Sequence, residues 1–559
     1  MSLMGSLYLG VSGLQTSNNA LNTTGHNMSN LDTVGYTRQQ VSQSARGYIT
    51  ISKSQSTSWQ QLGLGVNYSQ TRQVRDFFLD KNYRRESGRS AFYEVGYKAS
   101  EEIEDVLGES YEGHAFSIAV TDLWTAVEEL SKDPTLAVNQ NLFVTRSYEF
   151  ITKAQAVYKS LEEYQDNMNK NVAQDVETIN KYAQQIEALN RQIARIEGGV
   201  EHANDLRDQR NYLLDELSTM ASISYHEDVT GYLSVKLEGV DLVKGGLVNT
   251  MSVYEDPKTG FYTPYWEMLA DYSYDEYGNK VLTKDELLSA QVFDLTRPIS
   301  SDINTDIGSL KSTLLARGDH RATAQEIKDI NPDGEYEEGW YDVHVSQSLI
   351  MNVQAEFDQL INIVVTKINE ILREAAEMES ATYPNSTYLR DENGNPLQLF
   401  QQIVSEGKSC KLPDGSIWEC GWTVSNIDIN IELRQNPTLL GFRLTDGSED
   451  NALTERLKKA FEEASYTLNP NVQTPVCFVD YYKNLVSQVA NTGYVFGEIM
   501  DSQTVTVDSL FNAREQVVGV SSDEELTNMI MFQNAYNASS RYINVISEML
   551  EHVLTTLGR

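Results

Sequence analysis

The chain has 559 residues, more than one hydrophobic core normally organises, so two to four domains are expected. An apolar content of 40% rules against wholesale disorder. A formal net charge of −36 argues against a nucleic-acid partner, which needs clustered Lys and Arg, and disfavours an anionic membrane surface. No run of 18 apolar residues occurs, so no membrane insertion is expected, and the first residues lack the basic and apolar blocks of a secretory signal peptide.

In chain order, Leu3, Leu7, Gly10, Leu14, Ser17, Leu21, Thr24, Met28 and Leu31 alternate in steps of four and three, a weak helical seam that Gly25 threatens to break. No charged residue precedes Asp32. Residues 37–75 predict irregular structure with short strands around Gly47, Gly63 and Gly65. Helical periodicity then runs from Arg75 to Met220. Its longest stretch is Asn139 to Glu197, stopped by Gly198-Gly199, and a helix over Asn204–Ser218 is expected to fold back against it.

From Ile223 the period falls to two, and glycine-marked turns predict a β-rich insertion over 223–298. Helix is expected again over 299–379, with a loop at Asn331-Pro332-Asp333-Gly334, followed by an irregular β-rich segment over 380–475. Helix resumes near Val479, with a break expected at 505–520. The last helix begins at Ser521-Ser522-Asp523-Glu524-Glu525, an N-cap serine with a glutamate three residues on. Its seam, Met529, Phe532, Tyr536, Ser539, Ile543, Ile546, Leu550, Val553 and Leu557, never leaves the three-four step. A helix about 50 Å long with such a seam needs a helical partner, and the charge-poor N-terminus is the candidate.

The fold class that follows is mainly α with β insertions, a multidomain α+β chain with discontinuous, nested domains. Residues 1–36 and 521–559 form a terminal coiled-coil assembly domain. Residues 37–222, 299–379 and 476–520 form a helical-bundle core domain. Residues 223–298 and 380–475 are the β-rich insertions. The assembly interface is expected at Leu7, Leu14 and Leu21 on one end, and at Met529, Phe532, Tyr536, Ile543, Ile546, Leu550 and Val553 on the other.

No catalytic constellation, metal set or cofactor fingerprint emerges. Aromatics at 254–277 beside Asp271, Asp275 and Glu276 offer a sugar-binding surface with paired carboxylates, against the plainer reading of Tyr-rich strand faces. Asp302-Ile303-Asn304-Thr305-Asp306 begins like a calcium loop but has Ile307 where the turn glycine belongs. Arg317-Gly318-Asp319 reads as a helix-end turn rather than an adhesion motif. Cys410 and Cys420 flank a turn and are a candidate disulfide, with two free thiols as the alternative and Cys477 left over.

Three stretches carry a resemblance. Asn27-Met28-Ser29-Asn30-Leu31-Asp32-Thr33-Val34-Gly35-Tyr36-Thr37-Arg38-Gln39 resembles the Asn-rich signature near the N-terminus of bacterial flagellar rod, hook and hook-associated proteins, with Asn27, Asn30, Gly35, Tyr36 and Arg38 as its motif residues. Phe532-Gln533-Asn534-Ala535-Tyr536-Asn537-Ala538-Ser539 is similar to a segment near their C-terminus. The Asn204–Ser218 helix resembles one typical of the hook-associated protein 1 family.

The resemblance implies a non-enzymatic structural adaptor that assembles as a ring at the distal end of the hook, forms the hook–filament junction and orders its termini on assembly. It implies copies of itself, the hook protein, a second junction protein and a cytoplasmic export chaperone on the C-terminal helix as partners. It also implies an extracellular, flagellar location reached by type III export without a cleaved signal. The alternatives are a hook or distal rod subunit, and a surface glycan-binding or hydrolytic domain carried on a flagellar scaffold.

Overall fold

A computed structural model describes residues 3–54, 58–108, 116–199, 202–274, 280–282, 284–377, 389–403, 409–411, 417–419, 422–444 and 446–557. The chain is mainly α with β insertions. It divides into two compact units, the first comprising Met1–Ser90, Glu177–Thr250 and Ser502–Arg559, the second Ala91–Val176 and Met251–Asp501.

The first unit opens with α1 (Leu3–Ser29), which Gly25 does not interrupt. Four strands follow. β1 (Gln39–Ala45) pairs antiparallel with β4 (Val66–Gln73), and β2 (Tyr48–Ser54) with β3 (Ser58–Gly63). The β1–β4 ladder is anchored to α1 at Ser12, whose hydroxyl accepts from the Val66 amide at 3.3 Å. Gly65, at φ +87, lies so close that a Cβ there would fall on that hydroxyl.

The first turns of α2 (Phe77–Leu107), the last turns of α4 (Ala137–Glu197) and α5 (Asn204–Met220) complete the helical part of this unit. α5 folds back on the end of α4 as expected. Arg207 pairs with Glu197 at 2.7 Å, and the buried Arg210 donates to Asn190 Oδ1 and the Gly231 carbonyl, both at 2.8 Å. An antiparallel four-stranded sheet then runs through β5 (Ile223–Glu227), β6 (Leu233–Leu237), β7 (Val240–Lys244) and β8 (Leu247–Val248). Its inward residues Leu233, Val235 and Leu237 alternate with exposed or half-exposed ones, which is the period-two pattern.

In the second unit, a large apolar core gathers α3 (Phe116–Lys132), the first part of α4, α8 (Leu349–Glu377), α10 (Asn451–Glu462) and the start of α11 (Phe478–Val518). Phe116, Phe357 and Tyr482 meet edge to face at its centre. β9 (Met251–Glu255) and β10 (Tyr262–Trp266) form a hairpin, and β11 (Ser273–Tyr274) pairs with β12 (Lys280–Val281) before the short α6 (Lys284–Ala290). β13 (Phe400–Gln402) pairs with β16 (Ile427–Ile429), β14 (Ser409–Lys411) with β15 (Ile417–Glu419), and α9 (Ile431–Gln435) follows.

Two expectations are corrected. Helix does not resume at 299: α7 spans only Ser309–Arg317, and 318–348 carries turns, a 3-10 turn and a π-helical turn at Tyr341–Val345. Gly308 and Gly318, both at positive φ, bound α7 at either end. Nor is there a break across 505–520. α11 runs unbroken to Val518, and only Gly519, Val520 and Ser521 separate it from α12 (Ser522–Leu557).

Candidate functional site: the terminal helix pair and its latch

α1 and α12 pack antiparallel along their length. Gly10 faces Ile543, Gly13 faces Ser539, and Asn27 reaches Glu525. A Cβ at Gly10 would lie 2.7 Å from Ile543 Cγ1, and one at Gly13 would lie 2.8 Å from Ser539 Oγ, so the glycines set how closely the backbones approach. The stripe that α1 buries is Ser6, Gly10, Ser17, Ala20, Thr24 and Asn27. This seam of small and polar residues runs one residue before the leucines. Leu7, Leu14 and Leu21 flank it, half-buried.

On α12, Ile546 is buried, and Met529, Phe532, Tyr536, Ile543 and Leu550 are half-buried. Val553 is exposed, because α12 continues past the N-terminal end of α1.

At the other end of the pair, the Asn27–Gln39 and Asn204–Ser218 stretches meet the start of α12, while the Phe532–Ser539 stretch lies further along the helix, where Ser539 faces Gly13. Asn27, almost fully buried, is the hub. Its Nδ2 donates to the Gln39 carbonyl at 2.9 Å and to Glu525 Oε2 at 3.2 Å, while its Oδ1 accepts from the Gln39 amide at 3.0 Å and the Tyr36 hydroxyl at 2.8 Å. One side chain therefore occupies both backbone hydrogen-bonding groups of Gln39 in β1, with the amide's donor and acceptor each serving one.

Arg38 closes the other side of Glu525 at 2.9 Å and also meets Glu524 at 2.8 Å; its amide donates to the Val518 carbonyl at 2.8 Å. Glu525 is 2% exposed, so its charge depends on Arg38 and Asn27 for compensation. The N-cap expectation at Ser521 is only loosely met, with its Oγ 3.5 Å from the Glu524 amide. Glu525 is turned inward, a role that the capping pattern did not signal.

The α5 motif supplies the third side. Asp208 accepts from the Thr37 amide at 3.1 Å and from Gln73 Nε2 at 2.7 Å; Asp205 accepts from Gln39 Nε2 at 2.9 Å, and Asn204 donates to Gln39 Oε1 at 3.2 Å. Burial pushes the Asp208 carboxyl up to about 6, against the pull of the Thr37 bonds and Arg75. Burial, with Asp205, Asp208 and Glu525 nearby, raises the Tyr36 phenol well above its ordinary value, so Tyr36 acts as a neutral donor to Asn27.

Gly35 turns the chain at φ +79, against the Tyr212 ring. Asn30 ties the end of α1 through Nδ2 to the His26 carbonyl at 3.0 Å and accepts from Thr33 at 3.2 Å. A cleft of about 640 Å³ opens beside this turn, lined by Tyr36, Asp205, Asp208 and Tyr212 among others. These groups hold elements together; none is arranged as a nucleophile with a base.

The other candidates are placed as follows. Trp266 and Phe261 are buried, and Arg317 lies over the Phe261 ring at 5.1 Å, so this part of the aromatic cluster is core rather than platform; Asp275, Glu276 and Tyr277 lie outside the described residues. Arg317 is itself buried and donates to Asn169 Oδ1 and the Tyr262 carbonyl. Asp306 is buried and accepts from the Tyr93 hydroxyl at 3.2 Å. Cys410 sits opposite Trp418 in the β14–β15 register, and Cys420 lies outside the described residues. Among the described residues Cys477 is a free thiol.

Comparison with known proteins agrees with this geometry. A family model for the flagellar hook-associated protein FlgK helical domain matches residues 100–282, one for the flagellar basal body rod FlgEFG protein C-terminal matches 516–556, and one for flagella basal body rod protein matches 7–37. Flagellar hook-associated protein 1 of Bacillus subtilis is 26% identical over 547 residues, covering 96% of this chain and 95% of its own. The Salmonella typhimurium protein of the same name is 22% identical over 97% of this chain and 98% of its own. The solved flagellar hook junction protein FlgK from Burkholderia pseudomallei matches in fold, with a TM-score of 0.52 and 11% identity, over 79% of this chain and 100% of that one. With likeness over nearly the full length of both chains and a match to the FlgK helical domain at 100–282, the chain is a homologue of flagellar hook-associated protein 1.

Proposed function

We propose that this protein is a structural adaptor at the hook–filament junction of the bacterial flagellum. The observation that carries the reading is the likeness, over 96% of the chain, to flagellar hook-associated protein 1, together with the helical-domain match at 100–282. The terminal matches alone would also suit a hook or rod subunit; the helical domain favours the junction.

The working part is the α1–α12 pair. It pairs the two chain ends and leaves apolar side chains such as Tyr8, Ile530 and Leu554 on its outside. In this reading the termini order as helices when copies meet in a ring beyond the hook, and the ordering cost is offset only in the assembly. The residues that carry assembly are Leu7, Leu14, Leu21, Met529, Phe532, Tyr536, Ile543, Ile546 and Leu550. Residues 1–36 and 521–559 act as the assembly domain, and the remaining segments serve as body and decoration.

The partners are further copies, the hook protein on one side, a second junction protein on the other, and an export chaperone on α12 before secretion. The role is mechanical rather than catalytic. Electron microscopy of source-cell flagella labelled with an antibody against 223–298 tests it. Label at the hook–filament boundary supports the junction role, and label along the hook or absent from flagella overturns it.

A further inference from the structure

α12 carries a second seam that α1 of the same chain touches only at Tyr542, whose ring lies beside Gly10. Met531, Ala535, Ala538, Tyr542, Val545 and Met549 repeat in steps of four and three, contain no charge, and are exposed throughout. Met531, Val545 and Met549 are each about half exposed, at 53%, 47% and 50%. This seam is offset by one residue from the one that faces α1, which on a helix is a rotation of roughly 100°. A helix with two apolar seams at that angle contacts one helix on each of two sides, as in a closed ring of helices rather than an isolated pair.

α1 offers a matching face. Met4, Tyr8, Val11, Gln15, Asn18 and Asn22 follow the same four-three spacing, lack charge, and are exposed except for the half-buried Val11. The two stripes are complementary in the antiparallel register that joins the helices within the chain. Met4 falls level with Met549, Tyr8 with Val545 and Val11 with Tyr542, apolar on apolar, while Gln15 and Asn18 fall level with the small Ala538 and Ala535.

A contact between unlike faces repeats head to tail, giving a ring when the rotation between copies closes, whereas α12 on α12 would stop at a two-fold dimer. We propose that the second seam of α12 receives the outer face of α1 from the next copy of this chain. The contact extends the α1–α12 interface around a ring.

This inference rests on the junction reading, and the test separates the two. In a background with Cys410, Cys420 and Cys477 changed to serine, Tyr8→Cys and Val545→Cys chains are expressed together and separately in source cells. Isolated flagella are then oxidised and run on non-reducing gels. A linked dimer that appears only in the mixed population is the expected result. Flagella that contain both variants without a linked pair, or Val545→Cys linking to itself, overturn the seam assignment and leave the junction role standing. Absence of the chain from flagella, including the serine background alone, overturns both.

Discussion

Asn27 and Glu525, 498 positions apart, share a 3.2 Å hydrogen bond that joins the end of α1 to the start of α12. Removal of the buried Glu525 carboxylate leaves Arg38 only Glu524 and leaves Asn27 Nδ2 only the Gln39 carbonyl. Glu525→Ala is expected to destabilise the terminal pair by about 1–3 kcal/mol, the usual range for losing hydrogen bonds to a charged group when one partner keeps some solvent. Amide exchange over 522–530 should accelerate, while that of the second unit's core stays unchanged.

The helix pair should be sensitive to size at Gly10 and indifferent at Gly25. Gly10→Val forces a branched side chain onto Ile543 and should cost about 1–3 kcal/mol by overpacking. Gly25→Ala meets nothing within 4 Å and should stabilise α1 by about 0.5–1 kcal/mol through lower unfolded-state entropy. Chemical denaturation followed by helical circular dichroism measures both, and the opposite signs are the diagnostic result.

Charge placed on the covered seam should separate assembly from folding. Ile546→Asp with Leu550→Asp puts carboxylates where α12 meets α1. The double variant is expected to lose ring assembly by sedimentation while the calorimetric transition of the second unit is retained.

Alkaline pH should weaken the loop after α7. His320 is clamped by Asp319 and Glu326, each at 2.6 Å; burial opposes its charge, but the two carboxylate bonds prevail and push it up to about 10. A folded value above the unfolded 6.5 means that its stabilisation is complete below pH 6.5 and is lost as pH rises toward 10. Protection of amides at 320–330 should fall over that window, and His320→Gln should flatten the fall.

Two acids on α8 act in the same direction at lower pH. Asp358 accepts from the Ala324 and Val424 amides, Glu356 from Asn469 and Gln488, and burial pushes both up to about 7. Folded values above the unfolded ones mean that the stability each contributes is greatest in acid and declines as pH rises from about 4 to 7. Thermal unfolding of the second unit from pH 5 to 8 checks this, and Glu356→Gln should reduce the slope.

What the sequence by itself determined is local. Three-four periodicity located α4 and α12 nearly to the residue, Gly198-Gly199 marked the end of one and the Ser521–Glu525 run the start of the other, and period-two alternation found β5 and β6, because these signals depend on neighbours a few positions away. The motif stretches around Asn27, Asp208 and Phe532 pointed to the family.

Only the tertiary structure decided which face of α1 is inside. Reading by hydrophobicity favours Leu7, Leu14 and Leu21, yet the buried stripe is Ser6, Gly10, Ser17 and Ala20, since close backbone approach to Ile543 and Ser539 rewards the absence of side chain. It also decided that Glu525, legible only as part of a capping run, is the buried partner of Asn27 and Arg38. That role depends on a charge finding compensation from the far end of the chain, which no local pattern encodes.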